Sequence, residues 1–285
     1  MKKGLIGLGI LVALAAIFAM ALPSILKSRG LHPDYAGPSY ELPGQRALII
    51  STSHGVLNKP GETKGKATGV FGSELSVPYY DFQDAGMSVD VASIKGGTIP
   101  IDPMSYKFMI ITDVDKRSRK DDVFQNKVTK SLKIDNVDFT EYDVIFLAGG
   151  WGAAYDLGQS DVLGEKISNA YYESNAIIGG VCHGPLGLIK AKDESGNLLI
   201  AGRKMSGVTD KQIKELKIDF TPLHPESALR AAGAKFEAGT AKKDLFATHT
   251  VVDNEGRFVT GQNQNSGHVT AHEMMRLVAE RKREQ

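Results

Sequence analysis

Short apolar runs alternate with longer segments of helical pattern along most of the chain. The runs are rich in β-branched residues, as in buried strands, and they occupy residues 47–50, 88–93, 142–148, 175–178, 248–252 and 257–260. Helices are predicted between or after them, at residues 70–85, 162–174, 225–233 and 268–283. Strands that alternate with helices predict an α/β fold, with a mostly parallel sheet and helices on both faces.

The predicted loops indicate where function resides. In an open parallel sheet, ligands bind in a crevice outside the carboxyl ends of the strands. The loops at residues 51–69, 149–152, 180–184 and 209–213 follow predicted strands, the last of them a short strand and turn. We therefore expect these loops to converge, with a charged helical insertion at residues 105–138 forming part of a cap.

The amino-terminal segment has a different pattern. Lys2 and Lys3 precede an uncharged, mostly apolar stretch, residues 4–22. A helix of about 20 apolar residues spans a bilayer, and the small residues at 19–21 also fit the cleavage pattern of a signal peptide. Because the stretch is long for a signal peptide, it favours an uncleaved anchor. Residues 1–26 are thus predicted to be a membrane anchor or a signal peptide.

This segment predicts a location in the cell envelope. The anchored protein would face the periplasm or the exterior, and a cleaved one would be periplasmic or secreted. Residues 27–45 are rich in proline and glycine, which predicts a linker, and residues 46–285 form the predicted α/β domain.

Length and composition set further limits. A chain of 285 residues can bury a sizeable core, and its net charge of +1 gives no electrostatic reason to expect a nucleic acid as a partner. The single cysteine excludes an intrachain disulfide and a cysteine-based zinc cluster.

That cysteine lies in a segment of informative spacing. With Cys in place of Ser, Gly180-Val181-Cys182-His183-Gly184 has the G-x-S-x-G spacing of a nucleophile elbow. A sharp turn from strand to helix presses backbone against the nucleophile, so the flanking positions must lack a Cβ. The turn also aims the sulfur at the amino end of the next helix, which favours a thiolate. A buried structural cysteine is the alternative, but the flanking glycines favour a nucleophile.

Further motifs occur in the order found in one known superfamily. They lie at residues 68–74 with 78–79, 85–90, 96–97 with 100–103, 148–152 with 156–157, 181–185, 207–210, and 260–263 with Ser266 and His268. With these motifs the chain resembles the ThiJ/PfpI superfamily, whose flavodoxin-like domain is related to class I glutamine amidotransferases. More narrowly, it resembles the chaperone-associated glyoxalase III enzymes.

The resemblance implies a role for each of four residues. Cys182 would be the nucleophile, Glu74 the acid that hydrogen-bonds the sulfur and shuttles a proton, and His183 the general base. The backbone N–H groups of Gly150 and His183 would form an oxyanion hole. A carboxyl buried beside a thiolate has a raised pKa and can donate to sulfur, and paired N–H donors stabilise a developing alkoxide. From the sequence alone, Glu74 would be an ordinary solvated carboxylate of a helix.

Other positions depart from the family pattern or stay open. Asp210 either orients His183 as a third, triad-like member or caps a helix. Some family members carry a glutamate shortly after the Thr-Asp pair, where this chain has Ile213, so the orienting acid is Asp210 or is absent. We expect Gly149 and Trp151 to line the substrate pocket, with Trp151 replacing a histidine that is usual in the family.

The resemblance implies a cofactor-independent enzyme that acts on reactive carbonyls. It would convert 2-oxoaldehydes such as methylglyoxal into 2-hydroxy acids, or act as a deglycase. One alternative is a cysteine hydrolase, an amidase or peptidase that uses the same acyl-transfer groups. Another is a holding chaperone or a thiol sensor of stress, based on the cysteine and on Trp151.

No metal site and no cofactor are predicted. His268 and His272 are four residues apart, but with Glu273 they lack the HExxH order of metalloproteases, and no convincing third ligand is evident. The glycine-rich motifs also lack the Lys-Ser/Thr pair of a P-loop. The expected partners are a small-molecule carbonyl substrate, a membrane through residues 4–22 if the segment is uncleaved, and a second copy of the chain, because the family often dimerises.

Overall fold

A seven-stranded sheet lies at the centre of the computed structural model, which describes Leu14 and residues 17–284. In spatial order its strands are β10 (Thr250–Val252), β11 (Phe258–Gly261), β7 (Ile177–Val181), β6 (Val144–Leu147), β1 (Arg46–Ser51), β4 (Ser88–Ser93) and β5 (Leu132–Lys133). Neighbouring strands are parallel except β10 and β11. Strands β4, β1, β6, β7 and β11 follow the flavodoxin-like order 2-1-3-4-5, which confirms the predicted mostly parallel α/β sheet.

Helices and two short strand pairs surround the sheet. The helices are α1 (residues 17–28), α2 (Gly72–Asp84), α3 (Asp113–Ser118), α4 (Asp122–Thr129), α5 (Ala153–Asp156), α6 (Asp161–Glu173), α7 (Asp210–Leu216), α8 (Pro225–Ala231) and α9 (Gly267–Glu284). Short 3-10 helices occupy Pro103–Tyr106, Ile134–Asn136, Phe139–Glu141, Leu157–Gln159, Gly184–Leu188, Asp244–Phe246 and Gln264–Ser266. Strand β2 (Val56–Leu57) pairs with β3 (Lys66–Ala67), and β8 (Lys204–Met205) pairs with β9 (Lys235–Phe236).

Both faces of the sheet are buried, which explains why its strands are apolar throughout. In β1, Ala47 and Ile49 belong to the core on the side of α2 and α9, whereas Leu48 and Ile50 belong to the core on the side of α6 and α8. Successive strand residues point to opposite faces, so a strand covered on both faces needs apolar residues at consecutive positions. The unbroken run at residues 47–50 has this origin.

Most predicted elements occur close to their predicted positions, including the helical insertion, which contains α3 and α4. Two segments differ. A short strand and turn were predicted at residues 206–210 and a loop at residues 209–213, but residues 210–216 form α7. Thr209 caps this helix by accepting a hydrogen bond from the Gln212 N–H at 3.0 Å. The polar loop at residues 51–69 contains the β2–β3 pair, whose strands are too short to show a period in sequence.

The predicted membrane anchor is not supported. Of residues 4–22, residues 4–13, 15 and 16 lie outside the described part of the chain. Within the described residues, no helix has the length and apolar character needed to cross a membrane. This finding corrects the predictions of an inner-membrane anchor, of a membrane partner and of the location derived from them.

The segment predicted as a linker lies against the domain. Leu31 and Leu42 are buried, and the Leu42 N–H donates to the carbonyl of Ala85 at 2.7 Å. The Tyr35 ring stacks on His272 of α9 with 3.7 Å between ring centroids. Residues 31–42 are thus held by contacts that proline and glycine content did not indicate.

Strands β6 and β7 approach each other closely at their carboxyl ends. A Cβ on Gly180 would lie 2.1 Å from the carbonyl oxygen of Leu147, and a Cβ on Gly184 would lie 2.0 Å from the same oxygen. Both distances are far below any real contact, so no side chain fits at either position. This confirms the prediction that the residues flanking Cys182 must lack a Cβ.

We predict that Gly184→Ala destabilises the protein by at least about 2 kcal/mol, because its methyl group displaces the Leu147 carbonyl. Urea unfolding followed by fluorescence of the single tryptophan measures the effect. Gly267→Ala is the matched control, because its Cβ would meet only Val77, at an ordinary 3.4 Å. An unchanged urea midpoint for Gly184→Ala would contradict the close approach of β6 to the turn.

Candidate active site

Cys182 occupies a strained turn at the end of β7. Its φ of 61° lies in the left-handed region, which costs a non-glycine residue on the order of 1–3 kcal/mol. Two backbone hydrogen bonds hold this conformation. The Cys182 N–H donates to the Gly261 carbonyl at 3.1 Å, and the Cys182 carbonyl accepts from the Val208 N–H at 3.1 Å.

The surroundings of the sulfur differ from the sequence-based expectation. The segment after Cys182 is a 3-10 helix rather than an α-helix, and Cys182 is only 6% exposed. Burial raises the pKa of the thiol well above its usual value, and an ionised Glu74 would raise it further. The N–H groups of Gly150 and His183 act in the opposite direction. The predicted stabilisation of a thiolate by a helix terminus is therefore outweighed by burial.

Glu74 lies in the first turn of α2, and its carboxyl faces Cys182. Burial raises the pKa of Glu74 to about 8, although hydrogen bonding with Cys182 and with the N–H groups of Gly149 and Gly150 acts to lower it. The carboxyl is therefore mainly protonated at neutral pH, as predicted, and can donate to the sulfur. Its Oε2 has no hydrogen-bond partner among the described residues.

His183 is placed to exchange a proton with the sulfur. Its Nδ1 lies 3.3 Å from the Sγ of Cys182. Burial lowers the pKa of His183 to about 3, and the nearby His224 lowers it as well. The ring is thus neutral at neutral pH, so Nδ1 can accept the thiol proton when the ring hydrogen is on Nε2. In the described part of the chain, Nε2 has no hydrogen-bond partner.

Glycines bring the backbone donors and the carboxyl to the sulfur. The N–H groups of Gly150 and His183, the two predicted for an oxyanion hole, both interact with the Cys182 sulfur. A Cβ on Gly150, whose φ is 89°, would come within 2.4 Å of the Phe71 nitrogen. At Gly149 it would lie 2.5 Å from Glu74 Oε2. Gly149 thus packs against the carboxyl, and it is not among the described residues that line the cavity.

No hydrogen bond joins Asp210 to His183 among the described residues. Asp210 is the first residue of α7, and its Oδ2 accepts a hydrogen bond from Ser227 Oγ at 2.6 Å. The helix cap is Thr209 rather than Asp210. The interpretation of Asp210 as a helix cap is therefore wrong, because the register of α7 was not evident from the sequence, whereas its role as an orienting acid stays a prediction.

Two residues near the site were not predicted from the sequence. Gln212 faces the cavity, whereas Ile213, the position compared with the family glutamate, is buried in the core. His224 lies near His183 and occupies the N-cap position of α8, directly before Pro225, without a capping hydrogen bond from its side chain. A helix predicted from Thr209 would have placed Gln212 and Ile213 on different faces. Nothing in the sequence indicated His224.

A cavity of about 680 Å³ opens over the predicted catalytic groups. Glu74, Cys182 and His183 line it together with Gly150 and Trp151. The Trp151 and His183 rings are 4.8 Å apart between centroids, with their planes at 52°. The structure thus places Trp151 in the pocket wall, against the ring of His183.

One cluster of metal-ligating residue types lies away from this cavity. Asp81 of α2 meets His268 and His272 of α9, and one ligand atom from each lies within 4.8 Å of the others. The His268 Nδ1–H donates to Asp81 Oδ2 at 2.8 Å. No third residue beside the two histidines was evident from the sequence, because Asp81 is close to them only through the packing of α2 on α9.

Comparison with known proteins gives consistent results. The model of the DJ-1/PfpI family matches residues 66–264. The glutathione-independent glyoxalase hsp3101 of Schizosaccharomyces pombe is 29% identical over 247 residues, which cover 82% of this chain and 96% of that protein.

Two solved structures are similar over most of the chain. The Rapid Encystment Protein 24 kDa of Francisella tularensis superposes with a TM-score of 0.74 at 29% identity, covering 82% of this chain and 99% of that one. Glyoxalase III of Candida albicans superposes with a TM-score of 0.70 at 26% identity, covering 82% and 97%. Since the family match spans most of the chain and includes the elbow and the glutamate, the chain belongs to the DJ-1/PfpI family, as the resemblance predicted.

Proposed function

We propose that the protein converts 2-oxoaldehydes into 2-hydroxy acids without an added cofactor. The observation that carries the proposal is the contact set around one sulfur. Cys182 Sγ lies 3.3 Å from the neutral His183 ring, against the protonated Glu74 carboxyl and the N–H groups of Gly150 and His183. All of these groups face one cavity or lie directly behind its wall.

In the first step, the sulfur adds to the aldehyde carbon and forms a hemithioacetal. The thiol proton passes through His183 Nδ1 to the oxygen that was the aldehyde carbonyl. While negative charge develops on that oxygen, the N–H groups of Gly150 and His183 stabilise it. Burial strengthens these interactions because little water competes for the charge.

In the second step, a proton moves from the former aldehyde carbon to the neighbouring ketone carbon, and the hydroxyl proton of the hemithioacetal moves to the ketone oxygen. His183 and Glu74 are the groups within reach of those carbons that can accept and return it. One carbon is oxidised as its neighbour is reduced, so the product is a thioester of a 2-hydroxy acid and no external oxidant is consumed. Water then cleaves the thioester, releases the hydroxy acid and restores the thiol.

The relatives support this reaction class. A glutathione-independent glyoxalase and a glyoxalase III are similar to this chain over about four fifths of its length. Neither the hydrolase nor the chaperone alternative has a comparable observation in its favour.

The first prediction concerns the nucleophile. With methylglyoxal as substrate and the full chain as enzyme, Cys182→Ser should lower kcat/KM at least about 1,000-fold, because a hydroxyl is a far poorer nucleophile than a thiolate. Lactate formation without added glutathione or metal is the readout, with circular dichroism as a check of folding. Equal turnover by both proteins would contradict the proposed role of Cys182.

The second prediction concerns pH. Glu74 loses its proton near pH 8, and its charge then raises the pKa of the Cys182 thiol further and removes the donor to the sulfur. We expect kcat/KM to be level between pH 6 and pH 7, where Glu74 is protonated, and to fall about tenfold per pH unit above pH 8. Methylglyoxal turnover measured between pH 6 and pH 10 gives this profile. A kcat/KM that keeps rising above pH 8 would contradict the need for a protonated Glu74.

The third prediction separates the stability of the site from its activity. The folded state keeps the Glu74 proton up to about pH 8, whereas the unfolded chain releases it near 4.5. Wild-type stability therefore falls as pH rises between these values, by about 1.4 kcal/mol per pH unit. Glu74→Gln has no such proton, so it should be more stable than wild type at pH 7, by about 3 kcal/mol, while losing activity.

Urea unfolding at several pH values measures this difference. It should shrink towards zero as pH falls to 4.5, where both proteins carry a neutral side chain. A Glu74→Gln protein less stable than wild type at pH 8 would show that the ionised carboxylate is well solvated or paired in the folded state.

A further inference from the structure

The cavity over Cys182 is much larger than a three-carbon 2-oxoaldehyde. Its volume is about 680 Å³, which lies in the range of sites that bind ligands of drug size. Methylglyoxal would fill on the order of 100 Å³, roughly three times the share of one water molecule. Most of the cavity would then contain water even with this substrate bound.

The walls of the remaining space are predominantly apolar. They come from segments far apart in the chain: Leu31 before the domain, Leu57 of β2, Phe71 before α2, and Ile218 and Phe220 after α7. Apolar surface that faces a water-filled cavity gains free energy when an apolar ligand covers it, by about 25 cal/mol per Å².

Trp151 extends this apolar wall to the reacting atoms. It follows Gly150, whose N–H faces the sulfur, and its ring packs against His183. A substituent on a carbonyl carbon bound at Cys182 therefore meets the Trp151 ring first. Phe71 and Phe220 line the same cavity.

We propose that this cavity selects 2-oxoaldehydes that carry an aryl or medium-chain alkyl substituent in place of the methyl group of methylglyoxal. The inference rests on the proposed function, because it concerns the substrate of the same nucleophile. The aldehyde carbon lies at Cys182, and the substituent passes Trp151 and covers the apolar wall. Trp151 and Phe220 are the residues that determine this specificity.

An alkyl series tests the proposal, because the intrinsic reactivity of the aldehyde changes little along it. We expect kcat/KM of the full chain to rise about threefold for each methylene added between methylglyoxal and hexylglyoxal. Phe220→Gln should lower the ratio of kcat/KM for hexylglyoxal to that for methylglyoxal at least fivefold, and Phe220→Leu should retain most of it. The matched control is Phe108→Gln, which replaces a phenylalanine that is 64% exposed and does not line the cavity.

The outcomes distinguish this inference from the proposed function. No turnover of any 2-oxoaldehyde above that of Cys182→Ser would refute the proposed function itself. Turnover of methylglyoxal with a flat or falling trend along the series would overturn only the proposed selectivity. A rising trend that Phe220→Gln leaves intact would overturn the assignment of the apolar wall.

Discussion

The close approach of β6 and β7 at their carboxyl ends determines where the reacting groups lie. The Leu147 carbonyl occupies the space that side chains at Gly180 and Gly184 would need. With the backbone fixed in this way, Cys182 adopts the left-handed backbone conformation. Gly149, which follows β6, lets the Glu74 carboxyl reach that sulfur. The nucleophile and the acid therefore lie together at one buried site because two backbones meet without side chains between them.

Burial determines the protonation of the reacting groups, and it lowers the free energy of unfolding. A carboxyl removed from water keeps its proton, which is what allows Glu74 to donate to sulfur. The same burial raises the pKa of the Cys182 thiol and removes the charge from His183. The site thus stabilises the neutral form of all three groups, and the thiol gives up its proton to His183 only as the sulfur attacks. A protein with Gln at position 74 would be more stable than wild type at neutral pH, so the function of Glu74 is to supply a proton rather than to stabilise the fold.

The sequence was informative about elements and motifs, and much less so about distances across the fold. Runs of apolar residues predicted the strands correctly because the sheet is covered on both faces, as β1 shows. The spacing around Cys182 predicted the steric need for glycine, a local property of the chain. By contrast, the partner of Asp210 is Ser227 on another helix, and burial reverses the expected effect on the thiol. Both depend on packing between segments that are distant in sequence, and no local pattern encodes it.

The groups that react and most of the residues that determine specificity lie in different parts of the fold. The reacting groups lie on α2 and at the ends of strands, where backbone hydrogen bonds and glycine contacts allow almost no change. Much of the apolar wall comes from loops and from the amino-terminal segment, as with Leu31 and Phe220. Such segments tolerate substitution far better than strand ends do, so a family can keep one reaction and change its substrate through them. Trp151 is the exception, since it belongs to a motif and still faces the substrate. A change at Trp151 therefore alters specificity at the position closest to the bond that forms.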